Sequence, residues 1–83
     1  MKSNKDIVDA FYEHKTAENT NMRSTGDKLY SYNTVIAQHI NNKVAKNITK
    51  YSRITGKHQS YITKFDYIAE KVPINTQSLI KYI

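Results

Sequence analysis

Apolar positions recur with two different periods along this chain, and each change of period marks an element. Ile7, Val8, Phe11 and Tyr12 fall at i, i+1, i+4 and i+5, which predicts a helix over 4–14 with one apolar stripe. Ser3 can cap it with Asp6 three residues on, and His14 and Lys15 at its end suit the helix dipole. Residues 16–27 show no period and end in Gly26-Asp27, so they predict a long polar loop. Residues 28–40 are rich in Tyr, Thr, Val and Ile, and 43–54 return after Asn41-Asn42, which together predict a β-hairpin. A two-residue turn places Ile40 opposite Lys43. It puts Tyr32, Thr34, Ile36 and Ile40 on one face, and Val44, Ile48 and Ile54 on the other.

The clearest helical period lies in 57–71, where Tyr61, Ile62, Phe65, Ile68, Ala69 and Val72 form a stripe. Thr55 is the expected cap, Gly56 allows a bend, and Pro73 closes the element. Asn75 or Thr76 can cap a last short helix with Leu79, Ile80 and Ile83 facing inward. The expected fold is therefore α+β: one small domain over 1–83, with an N-terminal helix, the loop 16–27, a β-hairpin, a main α-helix and a short C-terminal helix. A chain of 83 residues has a stability of about 4–12 kcal/mol. It has room for one thin core and little for a deep catalytic cleft.

Charge changes the picture. Residues 28–64 hold seven cations and no carboxylate, whereas 1–27 carry four cations against five acids and 65–83 carry two of each. The whole excess of +6 thus sits mid-chain, and such a field attracts polyanions. The expected contact residues are Lys43, Lys46, Lys50, Tyr51, Arg53, Lys57 and His58. Lys57 and His58 are expected at the start of the main helix, where cations oppose the dipole and a bound phosphate would relieve the conflict. Thr49, Ser52, Thr55 and Ser60 add hydroxyl donors suited to phosphate and sugar. The plainer reading is a solvated face of ordinary surface lysines.

The tyrosines can stack on bases of a single strand. Tyr12, Tyr61 and Tyr67 fall on or beside apolar stripes and read as packing residues, which leaves Tyr32 and Tyr51 as the expected exposed pair. The three histidines have no metal-ligand spacing, so no metal or other cofactor is expected. Cysteine is absent, which removes disulfides and Cys-ligated metals and fits a reducing, cytoplasmic setting. Glycine occurs only at 26 and 56, so there is no phosphate-cradling loop, and no acid pair or triad spacing suggests an enzyme. No apolar run reaches the roughly 18 residues of a membrane span, and the first residues lack the apolar block of a signal peptide.

Two stretches carry a resemblance. Leu29-Tyr30-Ser31-Tyr32-Asn33-Thr34-Val35-Ile36-Ala37 is one. The other runs from Asn47 to Ile62 and contains Thr49-Lys50-Tyr51-Ser52 and Lys57-His58-Gln59-Ser60-Tyr61-Ile62. Together they resemble a group of small uncharacterised proteins of phages and other mobile elements. The resemblance covers 28–62, brings no settled activity, and assigns no catalytic or binding residue. Small proteins of that origin often act by binding, an analogy of origin alone.

The expected function is thus a non-catalytic, stoichiometric binding protein whose basic surface meets nucleic acid or a host nucleic-acid-bound complex. One alternative is an anti-defence (anti-CRISPR-like) or host-takeover inhibitor that meets the acidic groove of a host protein. The other is a small dimeric DNA-binding regulator like the ribbon–helix–helix repressors, built from 44–54, 57–71 and 76–83. The sequence does not fix an oligomeric state.

Overall fold

The computed structural model describes residues 2–69 and 78–80. Helix α1 spans Asn4–Tyr12 and α2 spans Arg53–Ser60. Among the described residues six strands accompany them: β1 Thr16–Glu18, β2 Met22–Thr25, β3 Lys28–Ser31, β4 Thr34–Ile40, β5 Lys43–Asn47 and β6 Tyr67–Ala69. They form one sheet in the order β1-β2-β3-β4-β5-β6. Neighbours are antiparallel up to β5, and β6 runs parallel to β5. Parallel neighbours need a crossover, which α2 and its flanking loops supply.

The N-terminal stripe folds into α1 with the capping box expected of Ser3 and Asp6. Asp6 N–H donates to Ser3 Oγ at 3.1 Å and Ser3 N–H to Asp6 Oδ2 at 3.0 Å, which holds the Asp6 carboxyl below its usual range. Ile7, Val8 and Phe11 then pack on one sheet face with Met22, Leu29, Ile36, Ala37 and Ile62. A smaller cluster of Tyr30, Val35, Ala45, Ala69 and Leu79 covers part of the other face.

The α+β layout centred on a main helix is corrected: the described residues are mostly β, a six-stranded mixed sheet with two helices. Three local findings explain the difference. First, the predicted loop 16–27 contains β1 and β2. Burial alternates along β2, with Met22 and Ser24 inward, but Ser24 is polar and donates its hydroxyl to the Lys15 carbonyl at 2.7 Å. A polar inward residue satisfied by backbone erases the hydropathy alternation that marks a strand.

Second, 28–40 is two strands, not one. Tyr32-Asn33 forms a tight turn between β3 and β4, with Ser31 paired to Thr34. The pairing then shifts by one between Leu29 and Tyr30, which leaves Ile36 as an extra residue on β4. A bulge of this kind reverses the side-chain parity. Ile36 therefore packs with the α1 cluster and Ile40 with the other, instead of sharing a face. The Asn41-Asn42 turn forms with both residues at positive φ (50° and 65°), and Ile40 pairs with Lys43.

Third, the helix predicted over 57–71 is overturned. α2 ends at Ser60, and Tyr67–Ala69 is a strand whose residues pair with Ala45, Lys46 and Asn47. Asp66 anchors the entry to that strand, donating its N–H to the Val44 carbonyl and accepting from Val44 N–H. The supposed core stripe splits: Ile62 is buried, while Phe65 is 41% and Ile68 54% exposed. Sheet pairing with β5 outweighs the local helical period. The predicted C-terminal helix falls largely outside the described residues; Leu79, which is described, is fully buried.

Candidate functional site

Helix α2 presents two unlike faces. Thr55, His58 and Gln59 are buried, while Arg53, Gly56, Lys57 and Ser60 are exposed. Ser52, not Thr55, is the cap, its Oγ accepting from Thr55 N–H at 3.1 Å. Gln59 fastens the inner face to the end of β5 by donating to the carbonyls of Asn47 and Thr49. Asn47 in turn donates to the Val35 carbonyl at 2.8 Å and to the Tyr51 hydroxyl at 3.0 Å. These bonds fix the loop 48–52 that carries Lys50 and Tyr51.

The outer face is basic. Lys50, Tyr51, Ser52, Arg53 and Gly56 line an open recess of about 390 Å³. Arg53 and Lys57 lie one helical turn apart on the same exposed side. The first turn of α2 holds no acid, so Arg53 stands against the helix dipole without a carboxylate to offset it. Gly56, between the two cations, has nothing within 4 Å of where a Cβ would sit. Glycine inside a helix costs about 0.5–1 kcal/mol relative to alanine, and no packing contact explains it. Among the described residues, the sole ion pair is Lys15 with Glu13 at 3.9 Å.

The structure brings together Lys50, Tyr51, Arg53 and Lys57 and separates the other candidates. Lys43 and Lys46 project from opposite faces of β5, as two residues of one strand with opposite parity do. Lys43 Nζ donates to the Tyr67 hydroxyl at 3.0 Å, which raises its pKa, with the nearby Asp66 charge adding to the effect. Lys46 Nζ reaches the Ile62 carbonyl at 3.5 Å and lies 5.3 Å from the Phe65 ring centroid. Lys57 and His58 lie in the last turn of α2, not the first. Cations suit that end, so the dipole conflict expected there does not exist and falls instead on Arg53.

His58 is 2% exposed and cannot touch a partner. Its Nε2 accepts from the Asn4 amide at 3.3 Å, which leaves the proton on Nδ1 to donate to Ser31 Oγ at 2.6 Å. Ser31, fully buried, passes its own proton toward Thr55 Oγ1 at 3.4 Å. His58 is therefore a donor to Ser31, not its base. The ring ties α1, β3 and α2 together. Burial, and then the Lys57 charge, push its pKa below the ordinary 6.5. A histidine lowered in the fold contributes stability that is complete above the unfolded pKa, about 6.5, and is lost as pH falls through the folded value. Thermal melts from pH 7 downward should show this loss in the wild type and a flatter profile in His58→Gln. Parallel profiles for the two proteins would contradict the role given to His58.

Sequence reasoning passed over a second recess, of about 270 Å³, lined by Glu18, Asn19, Asn21, Arg23, Tyr32 and Asn33. Its residues come from the segment read as a loop, so no pattern could place them beside Tyr32. His14 and His39 meet with ring centroids 3.8 Å apart and planes 26° from parallel. Stacked rings direct their in-plane lone pairs side by side, so the two do not converge on one metal ion. Among the described residues there is no metal-ligating cluster of three or more His, Cys, Asp or Glu, and no helix is long and apolar enough to cross a membrane.

No curated protein and no solved structure matches the chain. A family model matches residues 3–79, which takes in α1, the whole sheet and α2. On that match the chain belongs to a family of unknown function, DUF8033.

Proposed function

We propose that this protein is a non-catalytic binding protein of phage or mobile-element type, acting in the cytoplasm, whose α2 outer face contacts nucleic acid or a host complex that holds it. The observation that carries the reading is the group Lys50, Arg53 and Lys57: exposed, without ion pairs among the described residues, and bracketing a helix glycine that nothing packs against. Cations so placed serve phosphate contacts, which position a protein without reading sequence. Gly56 lets a backbone approach the helix closely. Lys43 and Lys46 flank the site rather than form it. Amide shifts in NMR spectra, recorded while an unlabelled oligonucleotide is added at low salt, test this placement. They should concentrate at 50–57 and spare β1. Shifts centred on Lys28 and Lys43 would move the interface to the other side of the sheet.

A second reading has one observation in its favour. Ile54, beside Arg53, is 52% exposed, and an apolar side chain gains nothing from a phosphate backbone. The same face would then enter an acidic groove of a host protein as an inhibitor. A purified host partner that stays bound after nuclease treatment favours this second reading. The ribbon–helix–helix arrangement is not carried forward, because it needs a helix over 57–71 where the chain forms β6.

A further inference from the structure

We propose that the site takes a single strand rather than a duplex, with the Tyr32 ring as a stacking platform for one base; this rests on the nucleic-acid reading above. Tyr32 occupies the β3–β4 turn at φ 55°, the left-handed region that bulky side chains avoid. At the next turn the chain uses Asn41 and Asn42 for the same backbone geometry, the residue type that tolerates it. Packing does not explain the tyrosine: the residue is 50% exposed and belongs to neither core cluster.

The ring is nonetheless held in place. Tyr32 N–H donates to the Asn21 carbonyl at 2.9 Å, and its hydroxyl donates to Asn21 Oδ1 at 3.3 Å. Its centroid lies 6.1 Å from that of His58, the residue that follows Lys57 in α2. The platform therefore stands beside the basic helix. Tyr32 also lines the recess formed with Glu18, Asn19, Asn21, Arg23 and Asn33. Asn19 is occupied as a brace, accepting from Asn21 and Met22 N–H and donating to Lys2 and Asn4. Asn33 is an exposed polar group at the rim, suited to the edge of a flat base, while the Arg23 guanidinium lies over the Tyr30 ring, 4.4 Å from its centroid.

A basic track beside an exposed aromatic ring is the arrangement that binds unpaired strands. A duplex keeps its base faces inside its own stack and cannot offer one to Tyr32. Phosphates would follow Lys50, Arg53 and Lys57 while one base turns onto the ring.

Fluorescence anisotropy with labelled oligothymidylate and a duplex of equal length tests this, using wild type, Tyr32→Asn and Tyr32→Phe. The wild type should prefer the single strand. Tyr32→Asn, suited to the backbone geometry, should melt no lower than wild type, yet bind oligothymidylate about 5- to 150-fold more weakly, the range for loss of one stacked base. Its duplex binding should not change, and Tyr32→Phe should bind as wild type does. Unchanged oligothymidylate binding by Tyr32→Asn, or a wild-type preference for duplex, would overturn the platform and leave the basic-face reading standing. Absence of binding to either probe at low salt would instead overturn the basic-face reading, and the platform with it.

Discussion

Phe11→Ala is expected to cost about 3–5 kcal/mol, a large share of the roughly 4–12 kcal/mol available to a domain of this size. Phe11 is fully buried among Ile7, Met22, Leu29, Ile36 and Ile62. Its ring stacks on His39 at 4.3 Å, and its carbonyl accepts from His39 Nε2 at 2.6 Å. Truncation therefore opens a cavity where α1 meets the sheet, in a close-packed core. Phe65→Ala is the matched comparison. In a 57–71 helix Phe65 would be a core residue of equal weight. In the observed fold it is largely exposed, and its loss should cost under about 1 kcal/mol. Urea midpoints for the two variants, at unchanged denaturant slope, measure the difference. Equal losses would contradict the sheet and restore the helix.

Neutralising Lys50, Arg53 and Lys57 together (Lys50→Gln, Arg53→Gln, Lys57→Gln) is expected to weaken nucleic-acid binding on the order of 100-fold at low salt, taking about 1 kcal/mol per charged contact. All three side chains are exposed, so stability should move by no more than about 0.5 kcal/mol for each. Gel-shift titrations give the affinities. A control variant removes the same charge elsewhere, at Lys15, Lys28 and Lys43. Lys15 already pairs with Glu13, and Lys43 is held by Tyr67. The control should lose only a few-fold through the weaker general field. If both variants lose the same affinity, net charge is the cause and the α2 face has no special role.

The elements of the chain differ in how far their sequence reveals their structure. α1 is legible because its stripe, its cap and its acidic third position agree. The Asn41-Asn42 turn is legible because positive φ favours asparagine, and that turn fixes the β4–β5 register. β2 is not, because Ser24 faces inward and finds its partner in the Lys15 carbonyl. β6 is not, because three residues acquire strand geometry only by pairing with β5, and their apolar spacing also fits a helix. The bulge at Ile36 leaves no mark in the sequence, yet it reassigns every face beyond it on β4. Within the site, charge locates Lys50, Arg53 and Lys57. Burial removes His58, which Asn4 and Ser31 hold from two other elements. Strand parity separates Lys43 from Lys46.

The most direct test of the α2 face is the salt dependence of nucleic-acid binding by the wild type and the Lys50/Arg53/Lys57 variant, measured side by side. Counterion release predicts a linear fall of log K with log salt, with a slope of about 0.7 per phosphate contact on a single strand. The wild type should bind at low salt and lose affinity steeply, and the variant's slope should be smaller by about 2. Equal slopes, or no wild-type binding to single strand, duplex or RNA at low salt, would contradict the account.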